Sequence, residues 1–175
     1  YHKIFYKEIK EIKSDLRTTW ELFIKDEIRN HFPNEDSIIV QKLPNIRIHI
    51  PNGQAIMRWH CDSDKDHRHP LGEINCIMPF TNMYDSNSVW RESAANKNDF
   101  KAFILKFGEL VYWNGNTCIH GNKVNDTNIT RVSFDFRIFL RKEYNKYVKD
   151  SENKVFSTAT MGTKFIVNEY YKEIF

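Results

Sequence analysis

His60-Cys61-Asp62, with His120 sixty residues further on and Arg131-Val132-Ser133 after that, is the part of this sequence equipped for metal chemistry. Two imidazoles and one carboxylate can cover one face of a ferrous ion. The opposite face stays open, as non-haem Fe(II) oxygenases require for a keto-acid co-substrate and dioxygen. Residues i and i+2 on a strand point the same way, so His60 and Asp62 can converge on one ion, with His120 brought in by a distant strand. An arginine eleven residues past His120, with Ser133 on the same strand face, has the donors to clamp a carboxylate.

Alone, His-x-Asp is a weak signal. Seven His and eleven Asp in 175 residues supply about 0.4 such tripeptides by chance. Its force comes from what surrounds it: a strand before, an Asn-Gly turn and a second histidine after, then Arg-x-Ser on the next strand. Arg137 shares a face with Arg131 and is an alternative anchor for the carboxylate. Arg58, two residues before His60, is placed to meet substrate or to pair with an acid. His67 and His69 lie in a charged loop and read as surface residues that could gate the site, while His49 and His31 carry no signal. Cys118 stands two residues before His120, yet no Cys-x-x-Cys spacing supports structural zinc, so it reads as a small buried filler.

The elements that must position these groups follow from periodicity. Residues 2–32 repeat apolar side chains at three- and four-residue spacing (Phe5, Ile9, Ile12, Leu16, Trp20, Phe23, Ile24, Ile28), which predicts amphipathic helix. Ser14-Asp15 is placed to cap a second helix and split the run. From residue 37 to 140 the period is two. Strands are expected at 37–43, 45–50, 55–60, 73–80, 88–91, 100–107, 109–113, 117–120 and 130–140. Asn114-Gly115 predicts a tight hairpin tying the 109–113 strand to the strand of His120.

In 131–138 one face carries Arg131, Ser133, Asp135 and Arg137, and the other Val132, Phe134, Phe136 and Ile138. Glu73 and Asn75 likewise face away from Ile74, Cys76, Met78 and Phe80. Such polar faces ordinarily meet solvent. Here a helical cover over the apolar face favours a polar face that lines a cavity. The expected fold is mainly β with N-terminal helices: a double-stranded β-helix, the jelly roll or cupin-like barrel, with helices packed on one sheet. One domain over 1–175 is expected, with a helical cover at 1–32, a jelly-roll core at 37–140 and a C-terminal extension at 141–175 whose aromatic residues dock. 

Composition narrows the class. Apolar residues are 41% of the chain and aromatics 14%, which argues for a packed globule. A net charge of +3, without basic runs interleaved with aromatics, gives no indication of nucleic acid as a partner. No apolar stretch reaches the roughly 18–20 residues of a membrane span, and no signal-peptide core opens the chain. Three cysteines are too few for a disulfide framework and read as reduced thiols, making the cytoplasm the expected location.

The stretches Trp59-His60-Cys61-Asp62-Ser63-Asp64, His69-Pro70-Leu71-Gly72-Glu73-Ile74-Asn75 and Pro79-Phe80-Thr81 resemble the Fe(II)/2-oxoglutarate dioxygenase superfamily, nearest to its StrG-like group, itself akin to phytanoyl-CoA hydroxylases. Gly115 to Asn122, Asn125, Thr127 and Thr130 to Arg137 continue the likeness, which covers roughly residues 55–140. The resemblance implies Fe(II) at His60, Asp62 and His120. It implies the 2-oxoglutarate carboxylate at Arg131 with help from Ser133, and Asn75 as a further co-substrate contact. Dioxygen would be the second co-substrate, succinate and carbon dioxide the co-products, and hydroxylation of a small polar metabolite the outcome. A sugar or cyclitol derivative, free or linked to phosphate or a nucleotide, is the implied substrate, with Arg58, Asp135 and Arg137 as candidate contacts. Lys65-Asp66-His67-Arg68 departs from the pattern, which has an aromatic and a glycine before the His-Pro; substrate choice is what this change affects. Two rivals use the same fold: a cupin-like metal-dependent isomerase or epimerase, which has no need of Arg131, and a non-catalytic binding protein.

Overall fold

A computed structural model describes residues 1–53, 58–151 and 164–175. The 2–32 repeat folds as two helices with a break at Ser14. α1 (His2–Lys10) is followed by α2 (Asp15–Leu22), whose first turn is capped by Ser14. The Ser14 hydroxyl accepts from the Arg17 amide at 3.1 Å and donates to the Glu8 carbonyl at 2.6 Å, so one side chain ties both helices together. A wider π-type turn (Phe23–Ile28) and a 3-10 turn (Arg29–His31) carry α2 towards Pro33.

The described strands are β1 (Ile38–Gln41), β2 (Asn45–His49), β3 (Ile74–Pro79), β4 (Val89–Arg91), β5 (Lys101–Ala102), β6 (Val111–Trp113), β7 (His120–Asn122), β8 (Arg131–Leu140) and β9 (Tyr171–Ile174), with α3 (Arg141–Ser151) between the last two. The protein is mainly β, its sheets antiparallel. β8 is the spine of the larger sheet. One edge pairs with β3, from Ser133 against Pro79 to Ile138 against Ile74. Its other edge is shared: the first half pairs with β2 and the last three residues with β1. β6 extends the sheet beyond β3, and β9 beyond β1. The smaller sheet runs β5-β4-β7. Among the described residues the two sheets are not hydrogen-bonded into a closed barrel.

Alternation along β8 sets what lies on either side. Phe134, Phe136 and Ile138 face the helices and join Ile9, Trp20, Ile24, Ile28, Val40 and Cys76 in the main core. Trp20 meets Phe136 edge-on at 5.1 Å. Arg131, Ser133, Asp135 and Arg137 face the other way and line a cavity of about 1150 Å³ that also takes Val89, Gly121 and Asn122 from the smaller sheet. Phe139 ends that face in a second cluster with Ile39, Tyr144, Phe165 and Tyr171, where the C-terminal segment docks.

Three expectations are corrected. Asn114-Gly115 does not close a hairpin: β6 pairs with β3 while β7 pairs with β4, so the turn passes the chain from one sheet to the other. Asn114 accepts there from the Thr117 amide at 3.1 Å, a local turn that any exit direction can follow. The histidine strand starts at His120 instead of ending there, and the 100–107 strand shrinks to β5 plus one bridge between Met83 and Leu105. Of the 55–60 strand, residues 55–57 lie outside the described residues, as do 162 and 163 of the tail; His60 itself bridges to His120. Among the described residues no helix is long and apolar enough to cross a membrane.

Candidate metal centre

Backbone pairing brings the three expected ligands together. His60 and His120 exchange amide-to-carbonyl bonds of 3.0 and 2.8 Å, and the Asp62 and Ser63 amides bind the Gly115 and Asn116 carbonyls at 3.0 Å each. The 60–63 segment is thereby laid along 115–120. The Nε2 atoms of His60 and His120 each sit 3.6 Å from Asp62 Oδ1. That is too long for a hydrogen bond and close to the roughly 3.0–3.5 Å between ligands sharing one ion at about 2.1 Å.

Every other donor and acceptor of the three is taken. His60 Nδ1 donates to the Arg58 carbonyl at 2.8 Å and His120 Nδ1 to the Cys118 carbonyl at 3.1 Å. Those bonds place each proton on Nδ1 and leave the Nε2 lone pairs aimed at the centre. Asp62 Oδ2 accepts from Asn75 Nδ2 at 2.7 Å and from Arg137 Nη2 and Nε at 2.8 and 3.2 Å, leaving Oδ1 for an ion. Burial opposes the Asp62 charge, but Arg137, with His60 and His120 behind it, outweighs burial and holds the carboxyl well below its usual range. Burial pushes His120 down to about 4, keeping its imidazole neutral and able to ligate. His60 suffers the same desolvation, yet the neighbouring Asp62 carboxylate and the bond to the Arg58 carbonyl carry it above its ordinary value. The donor set fits a divalent transition metal.

The two arginines of β8 have opposite circumstances. Arg137 is committed to Asp62 and, at 3.3 Å, to Asp135. Arg131 is 1% exposed and makes no ion pair or side-chain hydrogen bond among the described residues. Ser133 Oγ, on the same face, is also buried without a partner. Burial, reinforced by Arg47, pushes Arg131 down to about 10. A buried guanidinium without a counter-charge is costly, and an anion is what would relieve it.

The other expected contacts sort by position. Asp135 lines the cavity, but Arg47 and Asn45 hold it at 2.7 Å each. Arg58 does not line the cavity; it is exposed and paired with Asp66. Asn75 spends one N–H of its amide nitrogen on Asp62 Oδ2, and its buried oxygen has no partner among the described residues. His67 and His69, expected at the surface, are largely buried and line the cavity. Asp64 turns the loop back by accepting from the Asp66 and His67 amides at 2.9 and 2.8 Å and from His67 Nδ1 at 2.8 Å. His67 then stacks on His60 at 4.1 Å.

Two glycines make room. A Cβ on Gly115 would lie 2.7 Å from both Asn75 Cγ and the Trp113 ring, and one on Gly121 would lie 2.9 Å from the Trp59 ring. Sequence reasoning missed Trp113, which meets His120 edge-on at 4.8 Å, and Tyr170 and Phe165 from the tail. The shared face of Glu73 and Asn75 was the available signal for Glu73.

No protein-family model matches the chain. Among solved structures, EvdMO1 superposes with a TM-score of 0.53 at 13% identity, over 77% of this chain and 34% of that one, a likeness of fold alone. A nickel complex of the non-haem monooxygenase ThoJ superposes with a TM-score of 0.45 at 16% identity, over 59% of this chain and 45% of that one. The chain thus spans less than half the length of either structure. The streptomycin biosynthesis protein StrG of Streptomyces griseus is 30% identical over 174 residues, 99% of this chain and 76% of its own length. By that identity, sustained from end to end, the chain belongs to the StrG family.

Proposed function

We propose that this chain is an Fe(II)/2-oxoglutarate-dependent oxygenase of the phytanoyl-CoA hydroxylase type, acting on a small polar metabolite in a biosynthetic route. The observation that carries this reading is one cavity lined by both halves of the requirement. His60, Asp62 and His120 converge at one place, and the buried, unpartnered Arg131 and Ser133 stand ready for a carboxylate. Iron(II) bound there, together with 2-oxoglutarate, supplies the activation of dioxygen that oxidises a C–H bond.

The chain's own residues do the rest. Arg131 and Ser133 fix the far carboxylate of 2-oxoglutarate and so set which way its keto-acid end points. Arg137 and Asn75 keep Asp62 on a single oxygen. The jelly-roll reading is supported by two antiparallel sheets contributing to one cavity with helices on the outer face of the larger, and the chain is taken as one domain over 1–175. The exposed Lys3 and Lys10 also line the cavity and suit a phosphate or nucleotide group on a sugar or cyclitol substrate. Three free thiols suit the reducing cytoplasm. A metal-dependent isomerase or epimerase on the same ligands would leave Arg131 buried to no purpose.

Calorimetry on the Mn(II)-loaded protein tests the reading. The wild type is expected to bind 2-oxoglutarate, and Arg131→Ala to lose about 100-fold or more in that affinity while keeping its metal. Metal binding without 2-oxoglutarate binding in the wild type would replace this reading with the isomerase.

A further inference from the structure

Beyond the triad and the carboxylate anchor, one more side chain in the cavity has a free polar atom and a buried scaffold behind it. His69 begins where the 62–69 loop closes: its amide donates to the Asp62 carbonyl at 2.9 Å. Its Nδ1 meets Glu73 Oε2 at 2.7 Å, and Glu73 Oε1 accepts from the Tyr171 hydroxyl. Glu73 is 3% exposed and Tyr171 wholly buried. The ring lies against Phe165 at 4.4 Å and Tyr170 at 5.8 Å. Four side chains from two separate parts of the chain therefore hold one imidazole still.

A carboxylate only accepts, so Nδ1 carries a proton, and in the neutral ring Nε2 is left as an acceptor. Nε2 has no partner among the described residues, and His69 lines the same cavity as the triad. We infer that His69 is a specificity-determining residue whose Nε2 accepts a hydrogen bond from a hydroxyl of a polyhydroxylated substrate beside the metal. This rests on the oxygenase reading for its purpose, since a fixed acceptor next to the metal would select which carbon of a polyol faces it. Site-built hydrogen bonds of this kind discriminate strongly, because a ligand lacking the donor leaves the buried acceptor unpaired.

The test uses Zn(II)-loaded protein, with and without 2-oxoglutarate, and ¹⁵N-histidine NMR. The probes are myo-inositol and D-glucose. The account expects one metal per chain, His69 protonated at Nδ1, and a shift of the Nε2 resonance as a polyol is added. His69→Phe keeps the ring packing and removes the acceptor; it should weaken polyol binding by about tenfold or more while 2-oxoglutarate still binds. Tyr171→Phe, which frees one Glu73 oxygen, should broaden or shift the His69 signals without unfolding the protein. An Nε2–H tautomer, polyol affinity unchanged in His69→Phe, no binding of either polyol, or a second metal at Asp62, His69 and Glu73 would each overturn the inference. Failure of 2-oxoglutarate alone to bind strikes the oxygenase reading instead, because the tautomer and polyol measurements are also made without it.

Discussion

Asp62 gives Oδ2 to the protein and keeps Oδ1 towards His60 and His120, and Arg137 is the charged partner that enforces the division. Replacing it as Arg137→Met leaves a 2% exposed carboxylate with only Asn75 and the histidines around it. The metal-free variant should lose about 3–5 kcal/mol in urea unfolding, and its Mn(II) affinity should fall about 10–100-fold. Unchanged metal affinity would show that Oδ2 needs no holding. Arg58→Ala, by contrast, removes an exposed pair and should alter neither 2-oxoglutarate binding nor metal binding, as calorimetry on both variants would report. The convergence of His60, Asp62 and His120, and the shared face of Arg131 and Ser133, were legible because strand alternation and residue type limit where such side chains point. The difference between Arg131 and Arg137 was not. Both sit on one face of one strand, and only Asp62, Asn45 and Arg47, arriving from elsewhere, decide which guanidinium is spent and which is free.

Short elements hold the site through a few tight contacts. Gly115→Ala would push a methyl group into Asn75 and Trp113, the residues that brace Asp62 and His120. A cost of about 1–3 kcal/mol is expected in denaturant unfolding, with weakened metal binding alongside. A stable Gly115→Ala protein with full metal affinity would contradict that role. Ser14→Ala, far from the cavity, should cost about 1 kcal/mol and leave the metal affinity alone. The long strand β8 and its partner β3 were legible because apolar side chains that pack on the helices alternate with polar ones that line the cavity. The Asn-Gly hairpin misled because turn chemistry is local, whereas pairing depends on which strand edge stands open nearby. α3 went unread as a helix, its Tyr144, Tyr147 and Val148 stripe hidden in a strongly charged stretch.

As a whole the molecule is a cavity enclosed by parts that are distant in sequence, and the C-terminal segment is one of them. β9 completes the edge beyond β1, while Phe165 and Tyr171 bury themselves against Ile39, Phe139 and Tyr144. Losing two such aromatics costs about 3–5 kcal/mol each, against a total stability of about 5–15 kcal/mol for a typical domain. A chain cut before Lys164 should therefore be largely unfolded by circular dichroism and unable to bind metal; a folded, metal-binding truncation would contradict the docking role. The fold class was foreseeable from the change of period at residue 37, but the part β9 plays was not, since docking depends on complementary shape. Everything functional turns on whether the triad and Arg131 serve one co-substrate. The most direct measurement is an anaerobic titration of the metal-free protein with Fe(II) and then 2-oxoglutarate, followed in the visible. The account predicts a metal-to-ligand charge-transfer band that appears only with both present and is lost in Arg131→Ala. Iron bound stoichiometrically with no band on adding 2-oxoglutarate would contradict it.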